Sequence, residues 1–234
     1  MVAPLVPVRA LLFDMDGTLV DSETQTDSSI AAVTSRHGVA GFTLPATETR
    51  GRTWTHVADR IRALTPIDVP AQRLAAELVE HWNAATDAVQ PLPGALAALQ
   101  MAAAQGLRLA VVSSSQRASI ARIMAQIGAA HLVEQLVGAD DVRNGKPDPE
   151  CFLLAARAFG VAPAEALVFE DSRAGLLAAR AAGMRSMFVT HCAADVAGNA
   201  LLATASCTHY GVLSPAFWSQ IASGSLEFAG KAYS

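Results

Sequence analysis

Charge is scarce in this chain. Of 234 residues only 16 % are Asp, Glu, Lys or Arg, and they balance to a net −4. No basic stripe or polybasic run is present, which removes the electrostatic footprint that nucleic acid or an anionic membrane surface requires. Cysteine is rare too. Cys151, Cys192 and Cys207 are odd in number and form no CxxC pair, so neither a disulfide framework nor a zinc site is expected. The six histidines show no HxxxH or HExxH spacing, the pattern that a histidine-bound transition metal would leave. Long apolar runs are missing as well. The opening "MVAPLVPVRALLFD" is interrupted at Arg9 and ended by Asp14, and reads as neither a secretory leader nor a membrane span. The expectation is a reduced, cytoplasmic protein with no nucleic-acid partner and no membrane partner.

What is present is apolar. Hydrophobic residues make up 52 % of the chain, much of it alanine, enough for a substantial core and against disorder. The length suits one large domain or a domain with an insertion. Four short runs rich in β-branched and aromatic residues end in polar turns: "VRALLFD" (8–14), "LRLAVVSSS" (107–115), "ALVFEDS" (166–172) and "RSMFVT" (185–190). They do not alternate in polarity, the mark of strands covered on both faces. Helical patterns intervene over 117–127, where Ile120, Ile123, Met124 and Ile127 form a stripe, and over 150–159 and 172–182. Strand and helix in alternation predict an α/β fold on a parallel sheet.

Residues 21–90 break the alternation. No strand pattern is visible there. Trp54, Val57, Ala58 and Ile61 share one helix face and Leu74, Leu78 and Trp82 another, with Pro66 and Pro70 between them and "QPLPG" closing the block. The tryptophans read as core residues of these helices. The expected organisation is an α/β domain formed by 1–20 and 91–234, carrying an all-α insertion over 21–90. Beyond Thr190, "HCAADVAGNALLATAS" and "GVLSPAFWSQIA" each read as a helix and "SGSLEFAGKAYS" as a frayed end.

In open α/β sheets ligands bind outside the carboxyl ends of the strands. After the first strand stand Asp14, Asp16 and Thr18. After the second come Ser113, Ser114 and Ser115, and after the third Glu170 and Asp171, while the loop "NGKPDP" adds Lys146. Singly, each fragment makes a turn, caps a helix or leaves a solvated lysine. Their joint placement on one rim is what those readings do not anticipate. Four carboxylates together call for a cation, and oxygen ligands without histidine or cysteine suit magnesium. A lysine and hydroxyls beside such a cation suit a tetrahedral anion, of which phosphate is the simplest.

These fragments resemble, in order, the four motifs of the haloacid dehalogenase superfamily: "DMDGT", Ser113 in "VVSSS", Lys146 in "GKPDP", and "EDSRAG". The resemblance spans roughly residues 9–190. The block at 21–90 looks like the helical cap of the β-phosphoglucomutase-like group, to whose opening "FDMDGTLVDSE" is similar. The resemblance implies a Rossmann-like core, an active site between core and cap, and a small phosphorylated substrate for which a monomer suffices. It implies Asp14 as the nucleophile at phosphorus, and Asp16 as the group that protonates the leaving oxygen and then activates water. Ser113 and Lys146 would hold phosphoryl oxygens, with Ser114 at the substrate. Asp171, the Asp14 side chain and the Asp16 carbonyl would bind Mg2+, and Glu170 would act directly or through water. Thr18, counted at the substrate's edge, would brace Asp16 and the turn.

Asp16 separates the reactions open to such a protein. Displacing halide from carbon leaves no alkoxide to protonate, so a second aspartate speaks for phosphoryl transfer. Mutases of the resembled group generally carry a histidine in the hinge after the first motif, where Thr26 stands here, and its loss favours hydrolysis. "RGRTW" (50–54) resembles the "HGR" or "HGK" segment of sugar and polyol phosphatases, with Arg50 in place of the histidine. Arg52 in that segment reads either as a contact to phosphate or a sugar hydroxyl or as an exposed helix-start arginine. The expectation is a phosphatase for a small sugar or polyol phosphate. A phosphomutase, or a phosphate-binding protein without turnover on the same fold, is the alternative.

Overall fold

Leu11 and Phe13 belong to one hydrophobic cluster and Ala10 and Leu12 to another, and all four are fully buried. A strand of this kind needs cover on both faces. The computed structural model, which describes residues 6–84, 89–225, 227 and 230–234, supplies it. The chain enters on β1 (Ala10–Phe13), turns, and forms the two-residue β2 (Val20–Asp21). Four helices follow: α1 (Glu23–Arg36), α2 (Ala46–Thr49), α3 (Trp54–Leu64) and α4 (Ala71–Ala84). After β3 (Gln90–Pro91) and α5 (Ala95–Ala104), strand and helix alternate through β4 (Arg108–Val112), α6 (Arg117–Gln126), β5 (Gln135–Val137), α7 (Glu150–Phe159), β6 (Ala166–Glu170), α8 (Arg173–Ala181) and β7 (Arg185–Val189). The chain ends with α9 (Val196–Ala200), β8 (Ala205–Cys207), α10 (Pro215–Ser223) and β9 (Ala232–Tyr233).

Seven strands make one parallel sheet in the order β5-β4-β1-β6-β7-β8-β9. Phe13 at the end of β1 lies between Val111 of β4 and Phe169 of β6. From β1 the chain runs outward through β4 to β5, then returns to the other side of β1 and runs outward from β6. Such a reversal opens a crevice at the carboxyl ends of the central strands. One sheet face packs Phe13, Phe169, Met187 and Trp218 together, and the other packs Leu12, Val168, Phe152 and Ala178. The fold is thus the expected Rossmann-like α/β sheet with a helical insertion. The insertion has a core of its own, in which Ile30 and Val33 of α1 meet Val57 and Ile61 of α3 and Leu74 and Leu78 of α4. Among the described residues no helix is long and apolar enough to cross a membrane.

The structure corrects several sequence expectations. Residues 21–90 are not free of strand, because Asp21 pairs antiparallel with Gln90 and Val20 with Pro91. Two residues leave no period to read, and a proline disguises the second strand. The polar "EQLV" hides β5, three residues long. The expected helix over 191–206 is instead the five-residue α9 followed by β8, where alanine in both elements erases the contrast. The end is not frayed throughout. Ala232 and Tyr233 add a parallel edge strand against Ser206 and Cys207, while residues 226, 228 and 229 of that segment lie outside the described residues.

Candidate active site

The turn after β1 is built by its backbone. The Met15 carbonyl accepts from the Leu19 and Val20 amides at 2.8 and 3.0 Å, and the Gly17 amide donates to the Val20 carbonyl at 2.8 Å. Gly17 has φ +80, and a Cβ there would collide with the Asp171 carboxylate. Only glycine meets both demands. The amide of Asp14 donates to the Phe169 carbonyl at 2.9 Å, which continues the register by one step and sets Asp14 beside Glu170 at the end of β6.

Lys146 reaches into this position from the loop before α7. Its side chain is 2 % exposed. Nζ donates to Asp14 Oδ1 at 2.6 Å, Glu170 Oε1 at 3.0 Å and the Val112 carbonyl at 3.1 Å, so three protons have three acceptors. Burial disfavours a charged lysine, but the charges of Asp14 and Glu170 outweigh it and hold the ammonium above its ordinary pKa. Glu170 is pushed up to about 7 by burial and by the Asp14 charge, against the pull of Lys146. Its oxygens are well occupied. Oε1 accepts from Lys146 and from Ser172 Oγ at 3.1 Å, and Oε2 from the Asp171 amide at 3.1 Å.

Asp16 is held differently. Ser22 Oγ donates to its Oδ1 at 2.7 Å, and Ser113 Oγ and Ser115 Oγ donate to its Oδ2 at 3.2 and 3.1 Å. Burial and the neighbouring Asp14 charge raise its pKa, and the three hydroxyls pull it back. Two carboxylates on one turn thus have opposite settings, one on a buried ammonium and one in a fork of neutral hydroxyls. Thr18 departs from expectation. It is fully buried and does not brace Asp16, since its hydroxyl donates to Asp171 Oδ1 at 3.1 Å.

Asp14, Glu170 and Asp171 are all buried, and each offers a carboxylate oxygen within 4.8 Å of the others. Three hard oxygens without thiolate or imidazole fit a cation such as magnesium. The missing Cβ of Gly17 leaves room beside Asp171. The Asp16 carboxylate, turned to its serines, is not in this cluster.

A cleft opens over Asp14 and Asp16. The helical insertion forms its far wall with Thr26, Thr49, Arg50, Arg52, Trp54 and Trp82. Ser113, Ser114 and Ser115 line the near side. Ser114 Oγ donates to the Gly51 carbonyl at 3.1 Å, tying the sheet domain to the insertion. Arg52 is half-buried in the cleft wall rather than an exposed helix start. Ser22 escaped the sequence reading, because a lone serine hydroxyl leaves no spacing signal, while Ser115 was visible on the rim and Ser172 as a helix cap, but not their contacts to Asp16 and Glu170. The tryptophans were visible there, but their position at the cleft was not.

Residues 8–183 match the haloacid dehalogenase-like hydrolase family. The validoxylamine A 7'-phosphate phosphatase of Streptomyces hygroscopicus subsp. limoneus is 36 % identical over 179 residues, which cover 75 % of this chain and 83 % of that protein. The fructose-1-phosphate phosphatase of Escherichia coli (strain K12) is 33 % identical over 180 residues, covering 76 % of this chain and 95 % of its own. A solved β-phosphoglucomutase from Clostridium difficile has the same fold, with a TM-score of 0.79 at 20 % identity over 92 % of this chain and 97 % of that one.

Proposed function

The chain belongs to the haloacid dehalogenase-like hydrolases and is a phosphoric monoester hydrolase, and we propose that it hydrolyses a small sugar or polyol phosphate through a phosphorylated Asp14. The observation that carries this reading is the pair on one turn, Asp14 fixed by Lys146 and Asp16 fixed by three serines.

In the first step an Asp14 carboxylate oxygen attacks phosphorus and the P–O bond to the sugar breaks. Asp16 gives its proton to the departing alkoxide. In the second, Asp16 takes a proton from water as that water attacks the same phosphorus, which frees inorganic phosphate and restores the Asp14 carboxylate. Ser113 and Lys146 would turn toward phosphoryl oxygens when substrate binds, and Lys146 also offsets the negative charge that Asp14 and Glu170 bring to a buried site. Asp14, Asp171 and the Asp16 carbonyl would hold magnesium, with the occupied Glu170 backing them. When bound, that ion supplies positive charge to the phosphoryl group.

Residues 21–90 act as a cap on the core formed by 1–20 and 91–234, hinged where Val20–Asp21 meets Gln90–Pro91. Ser114, Arg52 and Thr26 face the substrate's carbon skeleton from the cleft wall. The Thr26 hydroxyl donates to the Ser22 carbonyl at 3.2 Å and offers no proton relay of the kind a histidine would, which favours hydrolysis over phosphoryl return to sugar.

Phosphate release from glucose 6-phosphate, fructose 1-phosphate, sorbitol 6-phosphate and phosphoglycolate, with magnesium and with EDTA, tests the reading. Magnesium-dependent release from some of these is expected. No release from any would overturn the phosphatase reading, and release undiminished by EDTA would overturn the metal assignment.

A further inference from the structure

Two of the three apolar side chains on the helical side of the cleft are packing. Trp82 is 2 % exposed, and Val57 is equally buried. Trp54 is not of that kind. It is half-buried, touches both the sheet-side cluster and the core of the helical insertion, and lines the cleft that holds Asp14 and Asp16. It is also the first residue of α3, where the Thr53 hydroxyl caps the helix by accepting from the His56 amide. The cap fixes the direction in which the helix starts, and with it the root of the indole. Trp82 meets the ring edge-on, at a centroid distance of 6.5 Å and an interplanar angle of 63°. A Trp54 indole held by a helix cap at one end and a buried ring at the other is a rigid surface.

The polar groups that share the cleft wall with it are of two types. Thr26 and Thr49 offer hydroxyls, and Arg50 and Arg52 guanidinium groups. A wall with one aromatic surface and a border of hydrogen-bonding groups fits a ligand that is apolar on one face and hydroxylated at its edge. A pyranose, furanose or cyclitol ring has that shape. An open-chain polyol offers no flat C–H face and loses more rotamer freedom on binding.

We propose that Trp54 is the specificity-determining residue of this site and that the substrates are cyclic sugar or cyclitol monophosphates, the ring lying on the indole while its phosphate sits at Asp14. This deepens the phosphatase reading and rests on it.

Glucose 6-phosphate and sorbitol 6-phosphate have the same carbon count, one cyclic and one open, so their ratio of kcat/KM isolates the ring. The wild-type enzyme is expected to favour the cyclic substrate at least tenfold. Trp54→Ala is expected to cut that ratio at least tenfold, mainly through KM for glucose 6-phosphate, and Trp54→Phe to restore most of it. Acetyl phosphate, whose two-carbon acetyl group offers neither a ring nor a polyol chain to recognise, reports the phosphoryl chemistry without the sugar. If no phosphate is released even from acetyl phosphate, the phosphatase reading fails. If phosphate is released and the wild-type enzyme prefers the open chain, or Trp54→Ala leaves the ratio unchanged, the ring proposal fails by itself. Should Trp54→Ala not fold, the wild-type ratio and Trp54→Leu, which keeps apolar volume without a ring face, decide in the same way.

Discussion

At the scale of single residues, the most constrained group is Lys146. A buried ammonium is costly unless paired, and here two carboxylates and a carbonyl take its three protons. Truncation would leave Asp14 and Glu170 buried together without a cation. Lys146→Ala is expected to lose about 3–5 kcal/mol of stability and at least ~10²-fold in kcat/KM. Denaturant unfolding and steady-state phosphate release check the two, and near-normal values in both would make Lys146 an ordinary loop residue. Asp14→Asn is the complementary variant. It keeps the side chain's shape and removes one of the charges crowding Glu170 and Asp16, so the cooperative unfolding transition is expected to survive while phosphate release is abolished. Turnover at the wild-type rate would remove Asp14 from its role as nucleophile. The residues legible in the sequence were those whose chemistry is scarce: paired carboxylates and a lysine at the ends of apolar runs. The resemblance implied that Thr18 braces Asp16, whereas its hydroxyl reaches Asp171, 153 positions away. Ser172 reads as an N-cap and is one, accepting from the Gly175 amide at 3.1 Å. Its second duty, donating to Glu170, has no trace in the sequence.

At the scale of elements, legibility followed hydrophobic contrast. Helices α3 and α4 bury Val57, Ala58 and Ile61, and Leu74, Leu78 and Trp82, the stripes that periodicity shows. Helix α1, "ETQTDSSIAAVTSR", is polar over its first half and buries Ile30 and Val33 only beyond it, so nothing in its pattern announced it. Part of what joins α1 to α4 is electrostatic. His37, just past the end of α1, lies 2.7 Å from Glu77 of α4. The His37 hydrogen bond, chief among the causes, holds the Glu77 carboxyl below its ordinary value of 4.5. A carboxylate whose folded pKa is depressed stabilises the fold above its unfolded pKa, and that stability disappears as pH falls through the folded value. Both side chains are about a quarter exposed, which limits the effect to under ~1 kcal/mol. Glu77→Gln is therefore expected to melt slightly below the wild type at pH 6 and level with it near pH 2. Melting curves at the two pH values test this, and a gap of equal size at both would remove the pair from the account of cap stability.

At the scale of the whole molecule, what the sequence could not show is how the insertion meets the sheet domain, because that meeting depends on single contacts between distant loops. Ser114 Oγ reaches the Gly51 carbonyl, and Arg122 of α6 donates to the Asn83 carbonyl at 2.9 Å and to Asn83 Oδ1 at 2.6 Å. Gly51 is the tightest of these points. Its φ is +67, and a Cβ would run into the Ser172 hydroxyl, which donates to Glu170. Alanine there meets two obstacles, the left-handed backbone and the Ser172 side chain, and the loop relieves both only by withdrawing from the core. The backbone term alone is about 1–2 kcal/mol, which corresponds to roughly tenfold in an equilibrium between seated and withdrawn cap. Gly51→Ala is thus expected to raise KM for sugar phosphates at least ~10-fold. Gly38→Ala supplies the control. Gly38 is also left-handed, at φ +83, but has nothing within 4 Å of where its Cβ would sit, so it carries the backbone strain without touching the seam between cap and core. A loss of stability with wild-type KM is expected there. If the two variants show the same KM, the Gly51 loop does not gate access to Asp14, and the seated position of the cap is not what sets substrate affinity.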